Sequence, residues 1–388
     1  MNIPKLRFSE FSGECINKKL EECTIFIRDG THGSFKDQSN GIPLLSAKDI
    51  VSGKIVLNNN PRTISLKDYN SIHKNYEITI DDILLTIVGS IGRSAIVSNN
   101  ERFTLQRSVA IIRANKEINS LYINYYFHSD NFQKSLIRAT NCSAQGGVYL
   151  NSLNKMNINL HENAKEQQKI TSFLSKVDEK IEKLEKKQEL WETYKKGMMQ
   201  QIFSQKLRFK DGNGHYYVDW ETKNLGEISE INTGKKDLKD KISEGKYPFF
   251  VRSSNIERIN TYSYDGEAIL IPGDGRIGAV YHYINGKFDY HQRVYKISDF
   301  GENIHGKYIY YYLKHNFLRQ AIKHSVKATV DSLRLPTIKG MIIELPTLSE
   351  QIKIANFISD IDLKIDKLYE QLKMNKEFKN GLLQQMFC

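Results

Sequence analysis

The sequence predicts two mixed α/β globular regions that alternate along the chain with two long helices. Three observations support this prediction. The chain has 388 residues, which is enough for two or three domains of roughly 150 residues each. Its second half repeats its first half. Two segments of the repeat place apolar residues at alternating intervals of four and three, a spacing typical of coiled-coil helices.

The repeat is clearest in the helical segments. Residues 166–203 return without a gap as residues 350–387, at a constant offset of 184, and the two copies end in GMMQQIF and GLLQQMF. Looser matches precede them: LRF at 6–8 returns at 207–209, and a Gln-Arg pair at 106–107 returns at 292–293. The predicted segments are a globular region at 1–160, a helix at 161–205, a globular region at 206–345 and a helix at 346–388.

The expected helical seam consists of apolar residues at the a and d positions of the heptads. They are Ile170, Leu174, Val177, Ile181, Leu184 and Trp191 in the first helix, and Ile354, Ile358, Ile361, Ile365, Leu368 and Leu372 in the second. Lys195 and Lys379 stand at matching a positions, so we expect the seam to loosen there or the lysines to extend toward water. A lone amphipathic helix on each domain is the weaker alternative, because two equal copies offer each other a partner.

The globular regions combine strand and helix patterns. Short β-branched runs such as Ile83–Val88, Ser108–Ile112 and Ala268–Ile271 are broken by Gly, Asn and Asp, which predicts strands. The aromatic segments at 121–136 and 307–322 predict helices. Their aromatic stripes are expected in the core, since base stacking needs exposed rings.

Composition and charge narrow the function classes. Hydrophobic residues make up 40% and charged residues 26%, which disfavours disorder and fibres. The longest apolar runs are too short to span a bilayer, and the first residues lack a signal-peptide pattern. The four cysteines are scattered, which argues against a zinc site and a disulfide framework and indicates a reducing cytoplasm. A net charge of +11 favours a polyanionic partner, either nucleic acid or an anionic membrane.

The excess charge belongs to the globular regions. Residues 162–203 carry nine Lys and eight acidic residues, and residues 346–388 carry six of each, which leaves +10 for the rest of the chain. A membrane-binding protein would place this charge on the amphipathic helices. Two basic heads on nearly neutral helices instead suit a DNA-binding clamp.

Several catalytic signatures are missing from the sequence. No two prolines are adjacent, so an Asn/Asp-Pro-Pro-aromatic methyltransferase motif cannot occur. The Gly-Lys pairs lack the Ser/Thr of a phosphate-binding loop, and neither a zinc-protease helix nor a nucleophile elbow is present. The glycine-rich stretches at 89–92 and 273–278 are expected to be tight strand connections. The sequence therefore indicates a binding protein.

The chain resembles the DNA-specificity (S) subunit of type I restriction–modification systems. The resemblance rests on the LRF tripeptides, the GxIG-type turns at 89–92 and 275–278, the Glu-Gln openings at 166 and 350, and the QQ[IM]F endings. It covers essentially the whole chain. The globular regions are less similar to each other than the helices are, as expected if each reads a different DNA sequence.

The resemblance implies a concrete assembly. Each globular region would be a target recognition domain for one half of a split DNA site, and two antiparallel spacer helices would set the gap in a pseudo-twofold arrangement. The chain would be non-catalytic and would bind double-stranded DNA, two methyltransferase subunits and two restriction (motor–nuclease) subunits, with no membrane partner. S-adenosylmethionine, ATP and Mg²⁺ would act on those partner subunits, so this chain would bind no cofactor or metal itself.

Candidate DNA-contacting residues are polar or basic residues beside glycine turns or in matching loops, because such side chains read base edges and phosphates. In the first region they are Lys48, Ser90, Arg93, Gln106, Arg107, Gln145 and Tyr149. In the second they are Lys235, Lys236, Arg252, Asn255, Arg276, Gln292, Arg293 and Lys327. The Gln-Arg pairs have an equal alternative role, which is to satisfy buried backbone groups.

Two other functions remain open. A stand-alone fused restriction–methylation enzyme is disfavoured by the missing motifs. A non-catalytic coiled-coil adaptor without a DNA role would retain protein association but show no salt-sensitive DNA binding.

Overall fold

The computed structural model describes residues 2–57, 60–141, 146–275, 277–323 and 332–388. The chain divides into two compact units: a first unit of Met1–Glu185 with Gln371–Cys388, and a second unit of Lys186–Glu370. Each unit holds one globular region, called here head 1 or head 2, together with parts of both long helices. The predicted mixed α/β class is confirmed. The four segment boundaries stay a prediction.

Head 1 contains short strands and short helices. Its strands are β1 (Ile16–Lys19), β2 (Thr24–Asp29), β3 (Ile42–Leu45), β4 (Ile50–Val51), β5 (Lys54–Ile55), β6 (Thr63–Ile64), β7 (Ile83–Thr86), β8 (Ser94–Ile96), β9 (Thr104–Leu105), β10 (Val109–Ala114) and β11 (Asn157–Leu160). Its helices are α1 (Leu66–Ile72), α2 (Ser120–Phe127), α3 (Asp130–Asn141) and α4 (Leu150–Asn154). The first long helix, α5 (Ala164–Phe203), follows.

Head 2 repeats this plan with longer strands. Its strands are β12 (Glu221–Asn224), β13 (Glu230–Thr233), β14 (Tyr247–Phe250), β15 (Ile256–Ile259), β16 (Tyr264–Pro272), β17 (His282–Tyr290), β18 (Val294–Ser298) and β19 (Ile342–Leu345). Its helices are α6 (Leu225–Ile228), α7 (Gly306–Lys323) and α8 (Leu335–Lys339), followed by the second long helix, α9 (Leu348–Met386).

The two heads share one strand topology. In head 1, β10 lies between β2 and β7 in the sheet β2-β10-β7-β8, and β3 pairs in parallel with β9. In head 2, the sheet order is β13-β18-β16-β17-β14-β15, and β14 pairs in parallel with β17. The single strand β17 thus takes the place of β8 and β9, which are interrupted between Ile96 and Thr104. The strands predicted from apolar runs are confirmed as β7, β10 and β16.

The aromatic stripes belong to the core, as expected. Tyr122 and Phe127 of α2 are fully buried in the core of head 1, and Tyr308 and Phe317 of α7 are fully buried in head 2. The segment predicted as one helix at 121–136 is broken into α2 and α3 around Ser129.

Each long helix contributes to both cores. Ile170 and Leu174, near the start of α5, lie in the apolar cluster of head 1 together with Leu383 and Met386 from the end of α9. In the second unit, Met199 and Ile202 from the end of α5 and Ile354 and Ile358 from the start of α9 lie in the cluster of head 2. The predicted seam residues at these helix ends are therefore buried against a head as well as a helix.

The predicted seam is less buried toward the middle of the helices. Val177, Ile181, Ile361, Leu368 and Leu372 are buried. Leu184, Trp191 and Ile365 are only half-buried. Coiled-coil pairing along the whole length of the helices stays a prediction.

The LRF and Glu-Gln motifs meet in the structure. Arg7 donates two hydrogen bonds of 2.7 Å, from Nε and Nη2, to the carboxylate of Glu166. Arg208 donates two hydrogen bonds of 2.9 Å to Glu350 in the same way. Both glutamates have fully buried side chains. Each bidentate ion pair fixes the segment before a head to the start of a long helix, which explains why both motifs recur together.

The glutamines of the same motifs satisfy backbone groups. The Gln167 side chain donates to the carbonyl of His161 at 2.7 Å, and the Gln351 side chain donates to that of Pro346 at 2.8 Å. Gln351 also accepts a hydrogen bond from the backbone of His305, just before α7. The helix start is thereby tied to the loop before it, and backbone groups that burial would leave unpaired are satisfied.

Lys195 and Lys379 do not extend into water, since their side chains are only 15% and 23% exposed, so that version of the expectation is wrong; loosening of the seam at these lysines stays a prediction. Lys379 pairs with Asp178 at 2.6 Å in the first unit, and Lys195 pairs with Asp362 in the second. Each aspartate also accepts a hydrogen bond from a tyrosine of the adjacent head, Tyr125 in the first unit at 2.7 Å. A lysine at an a position is stable here because an opposite charge and an aromatic ring face it.

The expectation that the cysteines form no disulfide is wrong for one pair. Cys15 and Cys388 are joined in a disulfide in the first unit, although 373 residues separate them in sequence. The fold brings them together because the segment before β1 lies along the end of α9, where the Leu6 amide donates to the Gln385 carbonyl at 2.8 Å. Sequence spacing alone carries no signal for such a distant pair.

Replacing Cys388 by Ser should lower the free energy of unfolding of the first unit by about 2–4 kcal/mol under oxidising conditions, because the cross-link restricts the unfolded chain. Denaturant unfolding followed by hydrogen exchange would measure it. Reduced wild-type protein serves as the control and should match the variant. Equal electrophoretic mobility of wild type and variant without reductant would show that the bond does not form.

None of the helices in the described ranges combines the length and apolar character needed to cross a bilayer.

Candidate nucleic-acid interface

Loops at one end of the strands of head 1 converge on a single edge. The Gln106 amide donates to the carbonyl of Leu45 at 2.8 Å, and the Arg107 amide donates to that of Thr31 at 3.1 Å. A backbone bridge also joins Val88 to Gly147. The ends of β2, β3 and β7 therefore meet the start of β10. We call this surface the first rim, composed of residues 30–32, 45–48, 87–90, 105–108 and 146–149.

Head 2 has a matching edge. The Gln292 amide donates to the carbonyl of Lys236 at 2.8 Å, and the Gly273 amide donates to that of Arg293 at 2.8 Å. A bridge joins Asp274 to Ser332. We call this surface the second rim, composed of residues 234–237, 250–255, 273–275, 291–293 and 332.

Two glycines make the close approach of these loops possible. A Cβ atom on Gly30 would lie 2.2 Å from the carbonyl oxygen of Leu105, and one on Gly234 would lie 1.9 Å from that of Tyr290. Both contacts are with backbone atoms, so a side chain at either position would force the neighbouring strand to move. These glycines explain why the rims have the same backbone arrangement in both heads.

Most predicted residues of the first region lie on the first rim. Lys48, Arg107 and Tyr149 are exposed there, as is Ser90, and Gln106 is half-buried. The loops are held together by hydrogen bonds such as that from the Ala47 amide to the hydroxyl of Ser108, 3.1 Å long. Gln145 lies outside the described residues.

Arg93 borders the first rim through its backbone, which pairs with Thr86 at the end of β7. It lines a cleft of about 1120 Å³ between the β4–β5 hairpin and the long helices of the first unit. Lys54, Lys376 and Lys379 share this cleft with Asp178 and other acidic side chains. The side chain of Arg93 therefore belongs to this cleft, and Arg93 is not included in the first rim.

In the second region, Lys235, Arg252, Asn255, Gln292 and Arg293 are exposed on the second rim, and Lys236 is half-buried. Arg276 and Lys327 lie outside the described residues. The structure therefore brings together the predicted residues of this head that it describes.

When the two heads are aligned by strand pairing, the two Gln-Arg pairs are displaced from each other by one residue. Leu105 pairs with β3, and Tyr290 pairs with β14 at the same register position. Gln106 therefore corresponds to His291, and Arg107 corresponds to Gln292. The Gln-Arg pairs match in sequence because each begins 14 residues after a glycine, Gly92 or Gly278, but head 2 has one residue fewer than head 1 between that glycine and the parallel strand pair.

Carboxylates hold several of the predicted side chains in the second rim. Arg293 Nη1 donates to Asp274 Oδ2 at 2.7 Å, and Arg252 Nη1 lies 3.4 Å from the same oxygen. Gln292 donates to Asp237 at 2.9 Å. Burial alone would raise the pKa of Asp274, but the hydrogen bond from Arg293 and the two positive charges outweigh it and lower that pKa.

The sequence-based prediction did not include Asp237 and Asp274, because acidic side chains repel DNA and are not expected among its direct contacts. The signal available was the position of Asp274 inside the glycine-rich stretch at 273–278. A carboxylate in a basic loop orients arginine side chains, since it fixes the planar guanidinium group.

A group of three potential metal ligands occurs within the part of the chain that the structure describes. Cys15, Cys388 and His161 place their ligand atoms within 4.8 Å of one another. The two sulfurs are joined to each other in the disulfide, so they are not thiolates that could bind a metal ion.

Comparison with known proteins identifies the family. A family model described as the type I restriction modification DNA specificity domain matches residues 22–192 and 217–374, which are one copy in each half of the repeat. The EcoDI specificity subunit of a type I restriction enzyme from Escherichia coli is 31% identical over 163 residues, or 42% of this chain. That match spans 34% of the length of the Escherichia coli protein. The putative type I restriction enzyme MjaX specificity subunit of Methanocaldococcus jannaschii is 26% identical over 98% of this chain and 96% of its own.

Solved structures share the fold. The crystal structure of the S subunit of a type I restriction–modification system from M. genitalium aligns with a TM-score of 0.65 and 16% identity over 99% of each chain. A chain from a structure on complex assembly and conformational transition of the type I R-M system aligns with a TM-score of 0.55 and 18% identity, over 95% of this chain and 96% of that one. Since the family model matches both halves of the repeat and most of the chain, the chain belongs to the family of type I restriction–modification DNA specificity subunits, which are non-catalytic.

Proposed function

We propose that this chain recognises a DNA site of two parts, one half at each rim, within a type I restriction–modification complex. The observation that carries the proposal is that two rims are built on the same backbone arrangement but present different side chains. A shared scaffold with different exposed residues is what two recognition domains for unlike half-sites require.

The charge distribution supports DNA as the ligand. The heads and their edges hold +10 of the net charge of +11. Phosphate contacts by Lys and Arg supply most of the affinity and position a protein on the duplex, while base contacts at the rims supply specificity. We propose Lys48, Ser90, Gln106, Arg107 and Tyr149 as contacts of the first rim. For the second rim we propose Lys235, Lys236, Arg252, Asn255, Gln292 and Arg293.

Partner subunits would perform the chemistry. We propose that two methyltransferase subunits and two restriction subunits bind this chain. S-adenosylmethionine, ATP and Mg²⁺ would act on those subunits, and the complex would work in the cytoplasm. The names of the relatives support such partners, since each is the specificity subunit of a restriction enzyme.

The long helices would set the spacing between the half-sites. Within each unit, the end of one helix and the start of the other pack into the core of the head. Because helix length is fixed at 1.5 Å per residue, a change in the number of helical residues should change the unspecified gap in the DNA site.

Methylation mapping tests the proposal. Cells that hold this gene and its neighbouring methyltransferase gene should methylate adenine in a split motif, and cells without this gene should lose that motif. Exchanging residues 1–160 for the corresponding region of another family member should change one half of the motif and keep the other. An unchanged methylation pattern without the chain would contradict the proposal and favour the adaptor function.

A further inference from the structure

The two rims can be compared position by position, because backbone bridges fix their correspondence. Val88 follows β7 and bridges to Gly147, while Asp274 follows β16 and bridges to Ser332. Val88 and Asp274 therefore occupy the same place in the two heads.

Two further positions follow from the strand register. Ser108 directly precedes Val109, which pairs with the end of β7, and Arg293 directly precedes Val294, which pairs with the end of β16. Ser108 thus corresponds to Arg293.

The third position lies just beyond the parallel strand pair. Ala47 stands two residues after Leu45, the last residue of β3, and Arg252 stands two residues after Phe250, the last residue of β14. Head 1 therefore has a small residue, an apolar residue and a hydroxyl at the places where head 2 has two arginines and an aspartate.

The three residues of head 2 form a single polar cluster. Arg293 and Arg252 both contact Asp274 Oδ2, at 2.7 Å and 3.4 Å. The arginine side chains are 62% and 49% exposed, whereas that of Asp274 is 17% exposed. The carboxylate is thus largely covered, and the two guanidinium groups face solvent around it.

Fold stability does not account for this arrangement. Ion pairs between exposed side chains contribute little to stability, and two cations at one carboxylate repel each other. Head 1 builds the same backbone without any of the three groups. The cluster leaves a net positive charge and N–H donors on both guanidinium groups, since Asp274 engages only part of each planar fork.

We propose that Arg252 and Arg293, positioned by Asp274, read guanine in the half-site bound by head 2; this proposal rests on the proposed function. A guanidinium group donates two parallel hydrogen bonds to N7 and O6 of guanine in the major groove. Holding the group in place before binding reduces the ordering cost of that contact. The half-site of head 1 would not use guanine at the corresponding position, because Ala47, Val88 and Ser108 offer no such fork.

The test is methylation mapping in cells with the complete complex. In R293Q and R252Q, the preference for guanine at one position of the second half-motif should fall roughly ten- to hundredfold, while the first half-motif is retained. R293K should keep only part of the preference, because lysine can reach guanine as a point charge but lacks the planar fork that pairs with N7 and O6. If R293Q instead lowered methylation equally whichever base stands at that position, Arg293 would contact phosphate, and the base-reading role would be overturned.

Asp274 acts through the arginines and is tested as a positioning residue. In D274N, the guanine preference at the same position should relax while the first half-motif stays unchanged. A purely structural role would instead lower methylation at all sites equally.

A matched control lies in the same sheet. Lys287 pairs with Asp265 across β16 and β17, at 3.9 Å, toward the end of β16 that is opposite to the second rim. K287Q removes one positive charge from head 2 and should leave both half-motifs unchanged. Two results would overturn the proposal without affecting the proposed function. Either the second half-motif lacks guanine in wild-type cells, or it keeps its guanine in the R252Q/R293Q double variant. If wild-type cells have no methylated motif that depends on this chain, the proposed function itself is contradicted.

Discussion

Replacing Arg208 by Met should lower the free energy of unfolding of the second unit by about 3–5 kcal/mol, because it leaves the Glu350 carboxylate buried without its partner. The carboxylate side chain is fully buried, and Arg208 supplies two hydrogen bonds of 2.9 Å. The Trp220 indole supplies one further bond of 3.1 Å, which does not neutralise the charge. Hydrogen exchange in increasing denaturant would assign the loss to amides of head 2 and the start of α9.

A double variant separates the burial of charge from the loss of packing. In R208M/E350M the uncompensated charge is gone, so more than half of the lost stability should return, since apolar pairs often replace buried ion pairs at little cost. K186M is the exposed control. Lys186 and Glu189 form an ion pair of 2.9 Å with side chains 65% and 67% exposed, so its loss should cost under about 1 kcal/mol. A single variant R208M as stable as K186M would contradict the prediction.

The repeat provides an internal comparison. R7M should destabilise the first unit in the same way, because Arg7 forms the same bidentate pair with the buried Glu166. The hydrogen bond to Glu166 is the largest of the effects that raise the pKa of Arg7, which keeps it charged in the folded state. Each variant should weaken its own unit, which hydrogen exchange can resolve.

The long helices, the fold class and the buried aromatic stripes were predictable because each rests on a local signal. Heptad spacing over many residues indicates a long helix, and β-branched runs between glycines indicate strands. The recurrence of LRF and Glu-Gln was visible in the sequence, but its cause was not. The contact between Arg7 and Glu166 spans 159 residues, and only the folded chain shows that the two motifs are one interaction.

The candidate site was predictable in outline and not in detail. Residues beside glycine turns did converge on two rims, because tight turns at strand ends bring loops to one edge. The correspondence of the Gln-Arg pairs depended on strand register, which one inserted residue shifts. The role of Asp274 depended on two arginines that lie 22 and 19 residues away in sequence. Such contacts leave no periodic signal in the sequence.

Acid should destabilise the protein below about pH 6.5, because burial lowers the pKa of several histidines. Among the described residues these are His73, His128, His161, His282, His291, His305 and His315. A histidine with a lowered folded-state pKa is neutral in the folded protein and takes up a proton first in the unfolded chain. The stability that these histidines contribute is therefore complete above about pH 6.5, the pKa of histidine in the unfolded chain. It is lost as the pH falls toward the lower pKa of the folded protein.

His128 gives the sharpest single-residue test. Burial, aided by the nearby charge of Lys379, lowers its pKa to about 4, against an opposing effect of Asp178. Its ring lies 3.2 Å from the hydroxyl of Ser94 in the cleft of the first unit. Between pH 7.5 and pH 5.0 the wild type should therefore lose about 2 kcal/mol of stability in the first unit that H128Q does not lose.

The reason for this difference is that glutamine does not titrate, so the variant keeps only the acid sensitivity of the other groups. Urea unfolding at the two pH values, resolved by hydrogen exchange in the first unit, measures it. H215Q is the control, because the His215 side chain is 80% exposed and its surroundings change little on unfolding. If H128Q and wild type lose equal stability over this range, His128 is not held neutral by the fold, and the acid sensitivity must come from the remaining buried histidines.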